Sequence, residues 1–371
     1  MRIAHVVTSL DPEHGGPSVS VRALAAHQAA TAGENVCLLT TAPAPRQSRV
    51  GDLEIHELAT EWPARLGRSP ALSRLLYDLP LEVVHAHGLW QRPLHYAHAG
   101  ARRHGALLVI SPRGMLSRWA RHQHPARKLL ARHCVHPRAF EEATGWHATS
   151  PEEAREIRAL GFPQPICIAP NGVAVPPAAQ LAGARAWWHQ QYPATAQRPV
   201  ALFYGRFHQK KRVRELIELW AATFTGEWLL LVAGLAEDYD VAALSALAAQ
   251  RGATGKVCVA DGRMAPAPYA VANVFLLPSH NENFGLAIAE AMAAGVPVVV
   301  TDSTPWSRLR DDGTGWCVPW SEYPTALRNA LALGADRLAT LGRQAAATIA
   351  RDFTWPANAA RLLEFYRNLR Q

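Results

Sequence analysis

Residues 274–301 read VFLLPSHNENFGLAIAEAMAAGVPVVVT, and this stretch decides the fold class. Val274–Ser279 is a short apolar run that predicts a buried strand, and a polar turn through Gly285 follows it. Residues 286–294 are rich in alanine and predict a short helix, which a glycine and a proline end. Val296–Thr301 predicts a second buried strand. A strand, a helix and another strand in this order are typical of a parallel sheet with helices on its faces.

The same alternation continues along the chain. The strand-like runs form two series separated near residues 173–198, where a proline-containing linker begins, so we expect two doubly wound α/β domains facing across a cleft. We place the first domain in residues 1–180, with a C-terminal helix at about 354–371 returning to it, and the second in residues 190–353. The strands predicted in the first series are Ile3–Leu10, Asn35–Thr41, Leu53–Leu58, Val83–His87, Ala106–Ser111, Trp146–Thr149 and Ile166–Ala169. Those predicted in the second series are Val200–Tyr204, Trp228–Ala233, Val257–Ala260, Val274–Leu277 and Val296–Thr301.

Two helix starts carry clear signals. Ser150, followed by a proline and then by Glu153 at the third position, forms a capping-box pattern. Phe353 and the Thr-Trp-Pro sequence after it open a last amphipathic helix that we expect to run through Tyr366.

Two glutamates flank the predicted helix start after residue 285. Glu282 lies in the loop ahead of the helix, and Glu290 lies more than one turn inside it. The first N–H groups of a helix are unpaired and form the positive end of its dipole, which favours a diphosphate at this point. Each carboxylate would then bind hydroxyls on one side of the phosphates, as the layout of a nucleotide sugar requires. In the simpler interpretation Glu282 caps the helix and Glu290 is a surface residue.

Basic and glycine residues follow two other predicted strands. Arg206 and Lys211 come after Val200–Tyr204, where their charges can neutralise phosphate oxygens, although an exposed basic turn is the alternative. Gly15 and Gly16 follow the first strand and permit close backbone approach to a ligand. No Gly-x-Gly-x-x-Gly pattern accompanies them, which argues against a nicotinamide cofactor.

Polar residues also end strands of the first series. His85 and His87 lie two apart and therefore point to one face of the sheet. Such a pair suits core histidines or a metal site, although no Asp, Glu or Cys lies close in sequence. Arg113 follows the next strand and is a candidate for binding a phosphate or a hydroxyl. In the second series, Asp261–Met264 follows a strand and contains Arg263.

The net charge of +8 is concentrated in residues 91–140, which contain ten Arg or Lys and no Asp or Glu. A field of one sign indicates an anionic partner, although a solvated basic surface would have the same composition. Aromatic and basic residues do not interleave as in nucleic-acid modules, so we expect no nucleic acid and favour an anionic inner-membrane surface or a phosphorylated acceptor. No apolar run approaches the ~18–20 residues of a spanning helix, and no leader is visible, so we expect a cytoplasmic protein, peripheral on the inner membrane.

The segment Glu282–Glu290 resembles the Glu-x7-Glu signature of family 4 glycosyltransferases, which have the GT-B fold of two Rossmann-like domains. Further motifs that resemble this family follow in the expected order over nearly the whole chain. They are Gly15-Gly16-Pro, Val84-His-Ala-His87-Gly, Ala148-Thr-Ser-Pro-Glu-Glu153, Pro170-Asn-Gly-Val173 and Gly205-Arg206-x4-Lys211. The chain departs from the family at Arg212, since a glycine usually follows the lysine. Arg212 either adds a phosphate contact or closes the turn differently.

The resemblance implies that the first domain binds the acceptor and the second binds the donor, a UDP- or GDP-sugar. Arg206 and Lys211 would bind the diphosphate, Glu282 would orient the sugar and Glu290 would hold the ribose. His87 would reach the donor sugar and, with Arg113, contact a glycan or lipid-diphosphate-linked acceptor. The implied catalytic residues are His87, Glu282, Arg206 and Lys211. The implied donor contacts are Gly15, Gly16, Arg206, Lys211, Arg263, Asn281, Glu282, Asn283, Phe284, Gly285, Leu286 and Glu290.

The resemblance also implies a reaction. A hexose would be transferred with retention at the anomeric carbon, without a metal or cofactor, by a front-face route in which the departing phosphate takes the acceptor proton. Assembly of a bacterial surface polysaccharide or lipopolysaccharide is the associated role. Two alternatives stay open: a sugar-nucleotide 2-epimerase on the same fold, and a non-catalytic relative that binds anionic membranes.

Overall fold

The chain divides into two compact units. The computed structural model describes residues 1–11, 16–123, 125–136, 138–223 and 226–371, apart from the side chains of residues 118 and 119. The first unit comprises Met1–Gly172 and Phe353–Gln371, and the second comprises Val173–Asp352.

The first boundary lies earlier in the chain than residue 180, where the sequence analysis placed it. Helix α7 (Ala178–Gln191) begins directly after the proline-containing segment and belongs to the second unit. Arg185 Nε donates a hydrogen bond of 2.8 Å to Ala270 O, and Trp188 Nε1 donates one of 2.8 Å to Pro266 O. These side chains fasten α7 to the second unit, so the linker is only a few residues long.

The first unit is built on an eight-stranded sheet with the strand order β3-β4-β2-β1-β5-β6-β7-β8. Its strands are β1 (Arg2–Val7), β2 (Asn35–Ala42), β3 (Arg46–Val50), β4 (Leu53–Ala59), β5 (Val83–His87), β6 (Leu107–Ser111), β7 (Gly145–Ala148) and β8 (Ile166–Ile168). Every neighbouring pair is parallel except β3 and β4. The antiparallel edge strand β3 was not predicted, because its sequence Arg-Gln-Ser-Arg-Val is mostly polar and its side chains are largely exposed.

Helices cover both faces of this sheet. They are α1 (Gly16–Ala29), α2 (Pro70–Asp78), α3 (Arg92–His104), α4 (Arg118–His122), α5 (Pro125–Leu130), α6 (Pro151–Ala159) and α15 (Trp355–Leu369), with a π-helical turn at Ala131–Val135. Successive side chains of β1 point to opposite faces, so Ala4 and Val6 join one apolar cluster while Ile3 and Val7 join the other. The second cluster contains residues of α1 and α15, and His5 points to this same face.

The C-terminal helix α15 belongs to the first unit, as the division of the chain shows. It packs against α1, and its first residue, Trp355, lies against Gly172. A Cβ atom at Gly172 would lie 2.4 Å from the indole carbons of Trp355, so this position admits no side chain.

The second unit contains a six-stranded parallel sheet with the order β11-β10-β9-β12-β13-β14. Its strands are β9 (Val200–Phe207), β10 (Leu229–Ala236), β11 (Val257–Asp261), β12 (Val274–Leu277), β13 (Val298–Thr301) and β14 (Gly315–Val318). Its helices after α7 are α8 (Ala194–Gln197), α9 (Val213–Thr223), α10 (Val241–Gln250), α11 (Leu286–Ala293), α12 (Arg308–Asp311), α13 (Tyr323–Leu331) and α14 (Ala335–Asp352). Strand β14 was not predicted, since its four residues include a glycine and sit among polar turns.

Both sheets contain a point at which the strand order reverses. In the first unit the chain moves outward in one direction from β1 to β2 and in the other direction from β5, so the reversal lies between β1 and β5. In the second unit it lies between β9 and β12. Doubly wound sheets bind ligands beyond the carboxyl ends of the strands at this point. The loops after these four strands are therefore the first places to look for a site.

Candidate functional site

The loops after β9 and β12 bring Lys211 and Glu282 together. Lys211 ends the 3-10 turn Gln209–Lys211, and Glu282 lies between β12 and α11. The Lys211 Nζ atom donates to Glu282 Oε1 at 2.5 Å, and the two side chains are only 17% and 10% exposed. Glu282 therefore does not cap helix α11. The residue at the N-cap of α11 is Gly285, which has φ 78° and no side chain to cap the helix, so the capping interpretation of Glu282 is wrong.

Glu282 is ionised despite its burial. Burial raises the pKa of its carboxyl. The charges of Lys211 and Lys210, together with hydrogen bonds from Lys211 and Ser279, lower the pKa by more than burial raises it, so the net pKa lies below the ordinary value. A buried lysine–carboxylate pair of this kind is a place where a competing anion, such as a phosphate, can bind the cation.

Arg206 is also held by a carboxylate. Its Nη1 atom donates to Glu237 Oε1 at 2.8 Å, and the two side chains are 40% and 33% exposed. Glu237 follows β10, the strand beside β9. Glu237 was not predicted, because a single glutamate after a strand is not distinctive until the parallel register of β9 and β10 is known.

Glu290 is half-buried in the second unit and is not an exposed surface residue. It accepts a hydrogen bond of 2.8 Å from the Tyr269 hydroxyl at Oε2. Burial raises the pKa of Glu290, and the hydrogen bond from Tyr269 opposes this shift. Tyr204 packs edge-on against Tyr269 with ring centroids 5.5 Å apart, so two tyrosines line the environment of this carboxylate. Neither tyrosine was predicted.

The remaining predicted donor residues of this unit lie around the same helix start or beside it. Asn281, Asn283 and Leu286 are half-buried in and after the loop, while Phe284 and Gly285 are buried, and Trp306 Nε1 donates to Phe284 O at 2.6 Å. Arg263 is further along the sheet edge, after β11, where its exposed side chain lies 4.0 Å from Asp261. Gly15 lies outside the described residues, and Gly16, His87 and Arg113 belong to the first unit.

Four buried histidines form the polar centre of the first unit. His5 lies on β1, His85 and His87 lie on β5, and His147 lies on β7. His5 Nδ1 lies 2.9 Å from His87 Nε2, and His5 Nε2 lies 2.7 Å from Gln28 Oε1. His85 Nδ1 lies 2.6 Å from the Tyr366 hydroxyl, and His85 Nε2 lies 3.3 Å from His147 Nδ1. His5, Gln28, His147 and Tyr366 were all missed from the sequence.

The ends of this network determine its tautomers. Arg113 Nη2 lies 3.0 Å from His87 Nδ1 and can only donate, so His87 Nδ1 accepts and His87 Nε2 donates to His5. His5 then donates from Nε2 to Gln28 Oε1. At the other end, His147 Nε2 donates to Ala169 O at 2.8 Å, so the neutral His147 ring accepts at Nδ1 from His85 Nε2. His85 Nδ1 is then an acceptor, and the Tyr366 hydroxyl donates to it. Every ring nitrogen of the four histidines is therefore used.

The histidines are neutral at pH 7. Burial is the main cause: it lowers the pKa of His5 to about 4 and that of His147 to about 3. The pKa values of His85 and His87 lie well below the ordinary value for the same reason, and neighbouring charges lower them further. The ring nitrogens of His5, His85 and His87 lie within 4.8 Å of one another, which is close enough for one metal ion. Their lone pairs already accept hydrogen bonds, however, and Arg113 places a positive charge beside His87. This arrangement fits a hydrogen-bonded network, and metal independence stays a prediction.

Arg113 is a buried cation without a bonded carboxylate among the described residues. It is 8% exposed, and Nη1 donates to Asn171 Oδ1 at 2.8 Å. Its Nε atom is buried and has no hydrogen-bond partner in the part of the chain that the structure describes. Burial lowers the pKa of Arg113 to about 10, while the nearby Glu153 raises it. Burial of a charge has a desolvation cost, which an anionic ligand would offset.

The capping box at Ser150 forms only in part. Ser150 Oγ accepts from Glu153 N at 3.1 Å, as predicted. The Glu153 carboxylate, in contrast, accepts from Thr149 N at 2.7 Å and Gly114 N at 2.6 Å. Glu153 thereby fixes the backbone next to Arg113 and supports the candidate site.

Two parallel-sheet units, each with polar side chains at its own reversal of strand order, define the GT-B class of glycosyltransferases. The solved structure of sucrose-phosphate synthase from Thermosynechococcus elongatus has a TM-score of 0.77 at 21% identity, and the match covers 99% of this chain and 98% of that one. HepE from Anabaena in complex with UDP-glucose has a TM-score of 0.78 at 17% identity and covers 99% of this chain and 100% of that one. The predicted GT-B fold is confirmed.

Family models identify the protein within this class. Residues 185–333 match the model for group 1 glycosyl transferases, and residues 15–172 match the glycosyl transferase 4-like domain. The chain belongs to this glycosyltransferase family, as the Glu282–Glu290 motif predicted. The GDP-mannose:cellobiosyl-diphosphopolyprenol alpha-mannosyltransferase of Xanthomonas oryzae pv. oryzae is 25% identical over 99% of this chain and 97% of its own length.

Proposed function

We propose that this glycosyltransferase transfers a hexose, with retention, from a UDP- or GDP-sugar to a glycan or lipid-diphosphate-linked acceptor. The observation that carries the proposal is the convergence of Lys211, Glu282 and the start of α11 at the reversal point of the second sheet. The relative named above uses GDP-mannose and a diphosphopolyprenol acceptor, as its name states. This similarity supports a role in the assembly of a bacterial surface polysaccharide.

The donor diphosphate competes with carboxylates for its cations. Lys211 is paired with Glu282 and Arg206 with Glu237, so both cations are already oriented. When the diphosphate binds Lys211, Arg206 and the first N–H groups of α11, the Glu282 carboxylate becomes free to accept hydrogen bonds from sugar hydroxyls. Glu290 keeps one carboxylate oxygen on Tyr269 and offers the other to the ribose.

The reaction needs orientation and charge stabilisation more than a protein nucleophile. The bond between the anomeric carbon and the diphosphate oxygen breaks, and the acceptor oxygen bonds to that carbon on the same face. The acceptor proton passes to the departing phosphate oxygen, whose negative charge Arg206, Lys211 and α11 stabilise. Arg113 supplies a positive charge for an acceptor phosphate in the first unit.

Both ring nitrogens of His87 already take part in hydrogen bonds. Its Nδ1 atom accepts from Arg113 and its Nε2 atom donates to His5. A hydrogen bond from His87 to the donor sugar therefore requires Nε2 to leave His5. In the structure described here, His87 orients Arg113, and the contact with the sugar stays a prediction.

A donor screen tests the proposal. GDP-mannose and UDP-glucose are the first donors, followed by other UDP- and GDP-hexoses, with titration calorimetry of UDP and GDP alone in parallel. We expect one nucleotide to bind and its sugar to be hydrolysed slowly or transferred, with the anomeric configuration of the product unchanged by NMR. Binding of neither nucleotide would contradict the enzyme proposal. Release of free nucleotide with a changed sugar and no acceptor would identify the epimerase alternative.

We also propose that the basic stretch 91–140 docks on an anionic membrane surface. Arg121, Arg127 and Arg138 are exposed, and Leu129 and Leu130 beside them are 62% and 63% exposed. Exposed leucines among cations are typical of interfacial segments. Arg113 does not belong to this surface because it is buried. Among the described residues, no helix has the length and apolar character needed to cross a bilayer.

Vesicle co-sedimentation tests the docking proposal. We expect binding to vesicles of anionic phospholipid and little binding to neutral phosphatidylcholine vesicles. The double variant Leu129→Ser with Arg127→Ser should lower the bound fraction, while Arg251→Ser, on the second unit, should not. Equal binding to both kinds of vesicle would contradict an electrostatic docking surface.

A further inference from the structure

The two loops that carry Lys211 and Glu282 are joined by more than this ion pair. The backbone N–H of His280 donates to Lys210 O at 2.8 Å, which ties the start of the 280–285 loop to the turn Gln209–Lys211. The next residue in the turn, Arg212, adds a second connection through its side chain. Since the ion pair must open when a diphosphate binds, these other connections decide whether the two loops keep their spacing.

The Arg212 side chain reaches across to the loop after β12. Its Nε atom donates to His280 Nε2 at 3.2 Å, and its Nη1 atom donates to Pro278 O at 3.3 Å. The guanidinium carbon lies 4.8 Å from the ring centroid of Trp320, which follows β14. A planar guanidinium can donate in its plane and stack on an aromatic ring at the same time, which a lysine ammonium cannot do.

The backbone of Arg212 makes these contacts more informative. Arg212 has φ 53° and ψ 36°, in the left-handed region that favours glycine, and its N–H donates to Gln209 O at 3.0 Å to close the turn. A glycine here would close the same turn without strain. The left-handed backbone conformation does not explain why an arginine occupies this position. The contacts of its side chain with Pro278, His280 and Trp320 do explain it.

We infer that Arg212 is a positioning residue that clamps the Gln209–Lys211 turn to the Pro278–Glu282 loop and so maintains the spacing of Lys211 and Glu282 when their ion pair opens. The guanidinium is used by the loop and Trp320, so Arg212 closes the site and is not a third phosphate ligand. The catalytic consequence rests on the proposed donor site, whereas the clamp itself does not.

Hydrogen exchange in the absence of any ligand tests the clamp directly. Arg212→Gly removes the side chain and the backbone strain together, so we expect an unchanged or higher melting temperature. Amide exchange of His280 and Glu282, measured by mass spectrometry on peptides covering residues 279–285, should be about tenfold faster, because loss of the side-chain link lowers the cost of local opening. Arg251→Ala removes an exposed arginine paired with Glu218 and is the matched control, with no expected change in this segment.

Kinetics with the donor found in the screen test the consequence. Arg212→Gly should raise the donor KM and lower kcat/KM by about tenfold, because Lys211 and Glu282 lose their spacing. Arg212→Lys should recover only part of this loss, and Trp320→Leu should show a smaller effect in the same direction. A purely structural role would not produce a partial recovery of kcat/KM in Arg212→Lys. It would also not produce faster amide exchange at an unchanged melting temperature.

The outcomes separate the clamp from the proposed function. Unchanged exchange in residues 279–285 of Arg212→Gly would overturn the clamp, and an unchanged donor KM would overturn its catalytic consequence. Faster exchange in a protein whose wild type binds neither UDP nor GDP would support the clamp and contradict the donor site. If Arg212→Gly does not fold, the exchange rates of Arg212→Lys and Trp320→Leu decide the question in the same way.

Discussion

The polar centres of the two units are built in opposite ways. In the first unit, the four histidines are neutral, fully buried and hydrogen-bonded at every ring nitrogen. In the second unit, Lys211 and Arg206 are charged, partly exposed and paired with carboxylates. Because every ring nitrogen already has a hydrogen-bond partner, the neutral network is rigid and binds no further ligand at these nitrogens. Ion pairs can exchange one anion for another. The difference indicates a rigid support in the first unit and exchangeable ligands in the second.

The largest expected effect comes from breaking an ion pair in the second unit. Glu282→Ala removes the carboxylate that we assign to the donor sugar and leaves the Lys211 charge with no partner in the pair. We expect kcat/KM to fall by about 10²–10³, the usual loss for one transition-state contact. The measurement is initial-rate kinetics with the donor from the screen, with thermal melting to confirm folding.

Glu282→Gln is a milder second variant, since glutamine keeps the shape of the glutamate side chain and removes its charge. We expect its activity to lie between those of the wild type and Glu282→Ala. Wild-type turnover in Glu282→Ala would show that the site is assigned to the wrong residues.

The neutral network should respond to pH through the free energy of unfolding. Burial lowers the pKa of His5 to about 4 and of His147 to about 3, whereas unfolded histidines titrate at about 6.5. Below pH 6.5 the unfolded chain therefore binds more protons than the native protein. The stabilisation is complete above pH 6.5 and is lost as the pH falls, by about 1.4 kcal/mol per pH unit for each such histidine.

A single variant isolates this contribution. His147→Gln should reduce the slope of unfolding free energy against pH between pH 6.5 and 5 by about one proton, or about 1.4 kcal/mol per unit. Denaturant titrations at several pH values provide the slope. His133→Gln, which changes an exposed histidine, is the control. Identical slopes in the two variants would mean that the network does not stay neutral.

The smallest expected effect concerns the competing carboxylate of Arg206. Glu237→Gln frees Arg206 for the diphosphate, and because the pair is about one-third exposed its strength is modest, about 0.2–1 kcal/mol. We therefore expect nucleotide binding about 1.4- to 5-fold tighter by calorimetry at low salt, with the gain decreasing in high salt. Glu218→Gln, which breaks the Arg251 pair, should leave affinity unchanged. Weaker binding in Glu237→Gln would instead make Glu237 a donor ligand.

The sequence predicted those features that depend on neighbours along the chain. The alternation of strands and helices, the short helix after Gly285 and the flanking glutamates are local patterns, and they led to the correct fold and family. The predicted length of β1 was wrong, since it ends at Val7 and not at Leu10. Strands β3 and β14 were not predicted, because polar or glycine-containing edge strands lack a long apolar run.

The partners of the predicted site residues could not be predicted, because they come from other elements. Glu237 meets Arg206 through the pairing of β10 with β9, and His5 faces His85 through the pairing of β1 with β5. Tyr366 reaches His85 across 281 residues of sequence. These contacts depend on strand register and helix docking, which a pattern of residues does not contain.

The same contact between Tyr366 and His85 also bears on how the protein is made. The ribosome completes Gly172 long before it reaches Tyr366, so the nascent first unit lacks helix α15 while the whole second unit is synthesised. At about 5–20 residues per second, this interval lasts roughly 10–40 s. During this interval, the apolar surface that Leu362 and Leu363 later cover is exposed, and His85 lacks the hydrogen bond from the Tyr366 hydroxyl. The first unit can therefore complete its fold only after α15 has been synthesised, and chaperone engagement should be strongest before that point.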